Sequence, residues 1–276
     1  MSVIRIRNLT RDYGSGKGIF NISFQAEKGE VFGFLGPNGA GKTTTIRHLM
    51  GFIKPKAGSC QIRGMDCWKD QEKIQKYVGY IPGEISFFDH MNGREFLKFV
   101  ADYRKLGKDN RMEEMLDRFE LDPGSKIKKM SKGMKQKLGI VAAFMHDPDI
   151  LILDEPTSGL DPLMQNRFTE LIAEEKKKGK TILLSSHIFD EVERTCDRIG
   201  IIRSGKLVAV DSVDALRKRH MRTYTVTLES PEQARAFAED FEGVCDGTTV
   251  HVAAKQSLEN IFLHYYGGEN DQLDII

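Results

Sequence analysis

No stretch of this 276-residue sequence holds the roughly 20 consecutive apolar residues needed to cross a bilayer. Residues Met1 to Asn8 alternate charge with branched apolar side chains, and they lack the basic segment, apolar run and small-residue cleavage site of a secretory signal. A soluble chain is therefore expected. An excess of one charge is missing too, since 41 lysines and arginines stand against 40 aspartates and glutamates. Such balance provides no whole-chain field to draw in nucleic acid or an anionic membrane, so a partner must be recognised by local surface. Only four cysteines occur, Cys60, Cys67, Cys196 and Cys245. They form no C-x-x-C pair or metal-like cluster, which fits reduced thiols buried as small apolar residues. Repeats and low-complexity stretches are absent as well.

What remains is a succession of short strands and helices. Val3, Ile4, Ile6 and Leu9, then Phe20, Ile22, Phe24 and Ala26, read as strands separated by a loop from Gly14 to Gly18, and they suggest an antiparallel cap. Glu30 to Leu35 is a continuous apolar strand, followed by a glycine-rich turn and a helical stretch from Lys42 to Met50. That order opens an α/β domain. From Arg94 to Phe119, apolar residues recur at helical spacing and predict a helical insert within about residues 85–145. Two more buried strands are expected, Ile150 to Leu153 and Thr181 to Ser185. Between them Asp161 caps a helix that has Pro162 at its first position and Gly179 at its end. The segment is thus a βαβ unit with parallel strands and a right-handed crossover. Ser204-Gly205 marks a hairpin turn between Ile199–Ile202 and Lys206–Val210. After about Leu216 the pattern restarts with a strand at Tyr224–Leu228, a helix at Pro231–Phe241, a strand at Thr248–Val252 and a helix at Ser257–Tyr266. This reads as a small α+β domain over 217–276, appended to a main domain over 1–216.

Gly36-Pro37-Asn38-Gly39-Ala40-Gly41-Lys42-Thr43 fits G-x-x-x-x-G-K-[ST], the Walker A phosphate-binding loop. Glycines let the backbone wrap around phosphates with its N–H groups pointing inward, and the helix that follows adds the positive end of its dipole. Lys42 reaches the β- and γ-phosphates of ATP, Thr44 follows in the same helix start, and the Thr43 hydroxyl serves Mg²⁺. The strand at Ile150 ends in Asp154-Glu155, at the sheet edge where ligands of parallel sheets bind. Asp154 is expected to hold Mg²⁺, and Glu155 to act as general base toward the attacking water. His187 follows the next strand at the same edge and can orient that water. His187 and Glu191 have i, i+4 spacing, but no third ligand accompanies them and a metal pair is not expected.

With these pieces in order, the chain resembles the nucleotide-binding subunits of ATP-binding-cassette (ABC) transporters over roughly its first four-fifths. Ser158-Gly159-Leu160-Asp161 is similar to the family's D-loop, and Met130-Ser131-Lys132-Gly133-Met134 to its signature, usually LSGGQ. The signature departs from the pattern at Met130, Lys132 and Met134 but retains Ser131 and Gly133. Tyr13 matches the aromatic residue that stacks on adenine. Gly83 stands where the family has its Q-loop glutamine, and Glu84 is the candidate polar substitute near Mg²⁺.

The resemblance implies a P-loop α/β fold and ATP hydrolysis with Mg²⁺. It also implies a head-to-tail pair of subunits, in which each ATP lies between one Walker A loop and the partner's Ser131 and Gly133, with Asp161 nearby. A separate transmembrane permease, a place on the cytoplasmic face of the membrane and no nucleic-acid partner complete the expectation. GFLGPNGAGKTTTIR and MSKGMKQKLGI are similar to stand-alone ATPases of bacterial exporters of drugs, antimicrobial peptides or lipids. The alternative is a soluble cassette ATPase acting on ribosomes or nucleic acid, although such relatives usually carry two cassettes or a long coiled coil. A guanine-nucleotide switch is disfavoured because no N-K-x-D motif occurs.

Overall fold

The computed structural model describes residues 2–108, 110–219 and 222–254. Its first strands, β1 (Ser2–Gly14) and β2 (Lys17–Glu27), pair antiparallel. Ile4, Ile6 and Leu9 of β1 are all buried although the spacing changes from two to three. A register shift between Ile6 and Leu9, with Asn8 at φ 49°, absorbs the extra residue. Next come β3 (Val31–Leu35), α1 (Lys42–Leu49), β4 (Ala57–Ile62), β5 (Met65–Asp66), α2 (Gln71–Gln75) and β6 (Val78–Ile81). Strands β4 and β5 extend the first hairpin into a four-stranded antiparallel sheet of order β2-β1-β4-β5.

The helical insert contains α3 (Gly93–Arg104), α4 (Met112–Arg118), a 3₁₀ turn at Ile127–Lys129 and α5 (Lys132–Phe144). Asn92 and Glu95 form a reciprocal capping box at the start of α3. Beyond it lie β7 (Ile150–Asp154), α6 (Pro162–Lys177), β8 (Thr181–Ser186), α7 (Phe189–Thr195), β9 (Arg198–Arg203) and β10 (Lys206–Ser212). The central sheet has the order β10-β9-β3-β8-β7-β6, and β9, β3, β8, β7 and β6 run parallel. Every residue of β3, β7 and β8 is buried. Strands covered on both faces need apolar side chains on both, which explains runs such as VFGFL and ILIL. Phe24 of the cap stacks on Phe32 of β3 with ring centroids 4.8 Å apart, joining the two sheets in one core.

Asp161 caps α6 by accepting from the Met164 amide, Pro162 occupies its first position and Gly179 ends it at φ 81°. Ser204 and Gly205, at φ 47° and 75°, make the expected tight turn between β9 and β10. Residues 1–210 form one compact unit and residues 211–276 a second. The division comes ahead of Leu216 because α8 (Val213–Arg219) belongs to the second unit. That unit also contains β11 (Arg222–Thr227), α9 (Pro231–Asp240), β12 (Val244–Asp246) and β13 (Thr249–Ala254), with sheet order β11-β13-β12. The helix expected over Ser257–Tyr266 lies outside the described residues.

Candidate active site

The C-terminal ends of β3, β7 and β8 meet along one edge of the central sheet, and the chemistry is concentrated there. After β3 the chain turns through Gly36–Gly41 into α1. Gly41 adopts φ 112°, and a Cβ there would stand 2.6 Å from the Ile19 side chain, so only glycine fits. No side chain caps α1. Its first amides are therefore available to a ligand anion. Backbone bonds from Gly36 N to Ser186 O and from Gly205 N to Ala40 O hold the turn against β8 and the β9–β10 hairpin.

Lys42 is 5 % exposed. Its Nζ donates to the Gly36 carbonyl at 2.6 Å and the Pro37 carbonyl at 3.2 Å, and it pairs with Glu155 Oε1 at 2.9 Å. The other oxygen of Glu155 lies 2.6 Å from His187 Nδ1. Glu155 has φ 50°, an uncommon conformation for a non-glycine residue. Two bonds from its amide, to the Ser185 carbonyl and hydroxyl, fix that turn. Lys42, Glu155 and His187 thus form a continuous polar chain at the mouth of the cradle.

Asp154 is fully buried. Ser185 donates to its Oδ1, while Oδ2 is buried without a hydrogen-bond partner. An orphaned carboxylate oxygen in an apolar setting is costly unless a cation completes it. A Cβ on Gly83 would lie 3.0 Å from Asp154 Oδ2 and 3.7 Å from Thr43 Oγ1, so the loop after β6 closes on both of these oxygens. A hard oxygen set of this kind fits Mg²⁺. It is Gly83 that comes up to the pair, whereas Glu84 is exposed and its side chain has no partner among the described residues.

A cavity of about 600 Å³ is lined by Tyr13, Pro37, Asn38, Gly39, Gly41, Lys42, Thr43, Thr44 and Glu155. Tyr13 is half exposed, and the Arg11 guanidinium lies 5.2 Å from its ring centre. Residues Ser131, Gly133 and Asp161 do not line this cavity. Ser131 is exposed and caps α5 by accepting from the Met134 amide at 3.2 Å. A Cβ on Gly133 would meet the Gly159 carbonyl oxygen at 2.7 Å, which supplies a reason for glycine at this position. Lys132 Nζ donates to Ser158 Oγ at 2.9 Å, so the segments around Ser131 and Asp161 lie against each other.

Residues 19–158 match the family described as ABC transporter. The bacitracin transport ATP-binding protein BcrA of Bacillus licheniformis is 36 % identical over 274 residues, covering 95 % of this chain and 90 % of the relative. The chain belongs to the ABC transporter ATP-binding family. As a member of that family it is an ATPase. The linearmycin resistance ATP-binding protein LnrL of Bacillus subtilis is 36 % identical, covering 79 % of this cassette and 71 % of the relative. A solved ATP-binding subunit of an ABC transporter superposes with a TM-score of 0.73 at 33 % identity, over 79 % of this chain and 93 % of its own.

Sequence reasoning alone missed several polar residues behind the cassette's site. Ser185 orients Asp154, and buried Gln136 of α5 donates to the Pro156 carbonyl at 2.7 Å. Ser186 donates to Glu191 at 2.6 Å. The signal for the serines was the Ser185-Ser186 pair ending an otherwise apolar strand. Three serially polar positions before a helix were legible as a site edge, but their partners were not.

Proposed function

We propose that this cassette hydrolyses Mg-ATP as one half of a head-to-tail pair and drives export through a separate membrane-spanning partner. The chain from Lys42 through Glu155 to His187 carries the chemical part of the reading. The adenine ring stacks on Tyr13, and the phosphates enter the cradle between the Gly36–Gly41 amides and Lys42. Asp154 and Thr43 would hold Mg²⁺, which supplies charge neutralisation at the β- and γ-oxygens. As the phosphates take over Lys42, the Glu155 carboxylate is released toward the attacking water. His187 then holds the water and the γ-phosphate in line.

The pairing of two copies is supported by what the cavity lacks. Ser131 and the start of α5 are exposed and stand outside the cavity of their own copy. A second copy can therefore supply that helix start to the γ-phosphate. A membrane-spanning partner is supported by an exposed aromatic row on the helical insert. Phe88, Phe99 and Tyr103 are 47, 46 and 78 % exposed and contact one another in sequence. No described helix is long and apolar enough to cross a membrane. The names of BcrA and LnrL, a bacitracin transport and a linearmycin resistance ATP-binding protein, favour an antibiotic-like cargo. Action on a membrane-spanning partner would put the cassette at the cytoplasmic face.

A mixed dimer tests the shared site. With Lys42→Ala in one copy and Ser131→Ala in the other, both lesions fall on one composite site and the second stays intact, so about half the turnover survives. With both substitutions in the same copy, each lies in a different composite site and turnover is lost. Equal activity of the two arrangements contradicts sharing.

A further inference from the structure

Glu191, on the first turn of α7, is a buried acid that the steps above do not use. Its side chain is 7 % exposed. Ser186 Oγ donates to Oε2 at 2.6 Å and also accepts from the Ile188 amide at 2.9 Å. Thr157, two residues beyond Glu155, turns its buried hydroxyl toward the same carboxyl group. Oε1 nevertheless accepts no hydrogen bond of good geometry. At the other end of the turn, Thr195 Oγ1 donates to the Glu191 carbonyl at 2.6 Å and anchors the helix. One side chain therefore bridges the residue preceding His187 and the loop following Glu155.

We propose that Glu191 is a positioning residue for ATP hydrolysis and that it works as a neutral carboxylic acid. A carboxylate with one bare oxygen in this enclosure is disfavoured, whereas the acid form carries no net charge and its O–H can donate to the Thr157 hydroxyl that faces it. Burial pushes the Glu191 carboxyl up to about 7. Ser186 and Thr157 oppose that shift, the Glu155 charge adds to it and His187 opposes it. Titratable groups facing it are Glu155 from the β7 loop, His187 from the β8 loop and the Cys196 thiol beyond α7. The packed strand β3 carries no charged residue, and the largest influences on this carboxyl come from Ser186, Thr157, Glu155 and His187, none of them in α6. Neutral Glu191 leaves Glu155 as the single carboxylate shared by Lys42 and His187. Ionised Glu191 competes for His187 and weakens its alignment on Glu155.

This inference rests on the hydrolytic role of Glu155 and His187 and is independent of dimer pairing and of cargo. The test is the pH profile of ATP turnover at saturating Mg-ATP for wild type, Glu191→Gln and Glu191→Ala, from about pH 6 to about pH 9. Glu191→Gln, an isostere of the neutral acid, should keep kcat within about threefold of wild type near pH 6 and lose the fall expected of wild type above about pH 7. Glu191→Ala should lower kcat by about tenfold or more across the range, with KM little changed. Infrared difference spectra should show a protonated carboxyl band in wild type that disappears as pH rises and is absent in Glu191→Gln. An unchanged alkaline fall in Glu191→Gln overturns the proposal, and so does a Glu191→Gln protein that is unfolded or as inactive as Glu191→Ala. Loss of turnover in wild type itself would instead strike at the role of Glu155.

Discussion

Replacing Glu155 by glutamine should tighten ADP binding while it stops hydrolysis. Lys42 is held by Glu155 Oε1 at 2.9 Å as well as by the Gly36 and Pro37 carbonyls. A phosphate must displace the carboxylate to reach the ammonium group. Both side chains are largely shielded, at 5 and 15 % exposure, so solvent screening reduces the pair only modestly. A hydrogen bond between such charged groups contributes about 1.5–3 kcal/mol net. The glutamine amide remains a neutral acceptor of roughly half that strength. The free state therefore loses about 0.8–1.5 kcal/mol of competing interaction, which is a roughly 4- to 12-fold lower Kd. Removing repulsion between Glu155 and the phosphates acts in the same direction. ADP lacks the γ-phosphate that a second copy would grip, so titration calorimetry with ADP in metal-free buffer reads one copy alone. Turnover of ATP should meanwhile fall by about 10²- to 10⁴-fold, the usual contribution of a general base. An ADP Kd that is unchanged or weaker would mean that the Lys42–Glu155 pair does not compete with phosphate for the ammonium group.

Two other substitutions probe the packing beneath the site. Gly133→Ala inserts a methyl 2.7 Å from the Gly159 carbonyl oxygen, an overpacking cost of about 1–3 kcal/mol against a helix-propensity gain of up to ~1 kcal/mol. The melting temperature should fall by about 2–4 °C and turnover should fall more than ADP affinity does, whereas a rise in Tm would refute the clash. Glu175 of α6 is fully buried between Arg111 at 2.8 Å, Lys178 at 2.9 Å and Lys180 at 2.5 Å. Burial opposes its ionisation, but hydrogen bonds from Lys180, Lys178 and Arg111 outweigh it and hold the carboxyl below its ordinary value. A depressed folded-state pKa stabilises above the unfolded value near 4.5, and that stability is lost as pH falls through the lower folded value. Glu175→Gln should thus cost about 3 kcal/mol in denaturant unfolding at neutral pH, with the deficit shrinking below about pH 4. A deficit independent of pH would exclude the charged role.

The reach of sequence reasoning here has a physical boundary. Walker A, Asp154-Glu155 and His187 were legible because each is a local arrangement. A glycine turn needs its spelling, and polar residues ending a buried strand interrupt an apolar run. Strands β3, β7 and β8 were legible for the same reason, as were the caps of α6. Elements without a pronounced period were not: β4, β5, β6 and α7 are short, and β6 holds only VGYI. Helix α8 was not legible either: it is seven residues long and falls wholly within the second compact unit, which begins at Asp211.

Partnerships across the chain were out of reach altogether, and the fate of His187 and Glu191 shows why. At i, i+4 spacing the two could be weighed only as a metal pair, since sequence offers no other way to relate a histidine and a glutamate one turn apart. In the structure they turn to different neighbours. His187 reaches Glu155 across 32 positions, and Glu191 reaches back to Ser186 beneath it. Their chemistry follows from that divergence. The exposed histidine meets the Glu155 carboxylate, while the enclosed glutamate meets hydroxyls and is driven toward its neutral form. On the proposed reading, one helical turn separates a group that takes part in hydrolysis from one that holds it in place, and the burial set by the packing of α7 on β3 and β8 distinguishes the two.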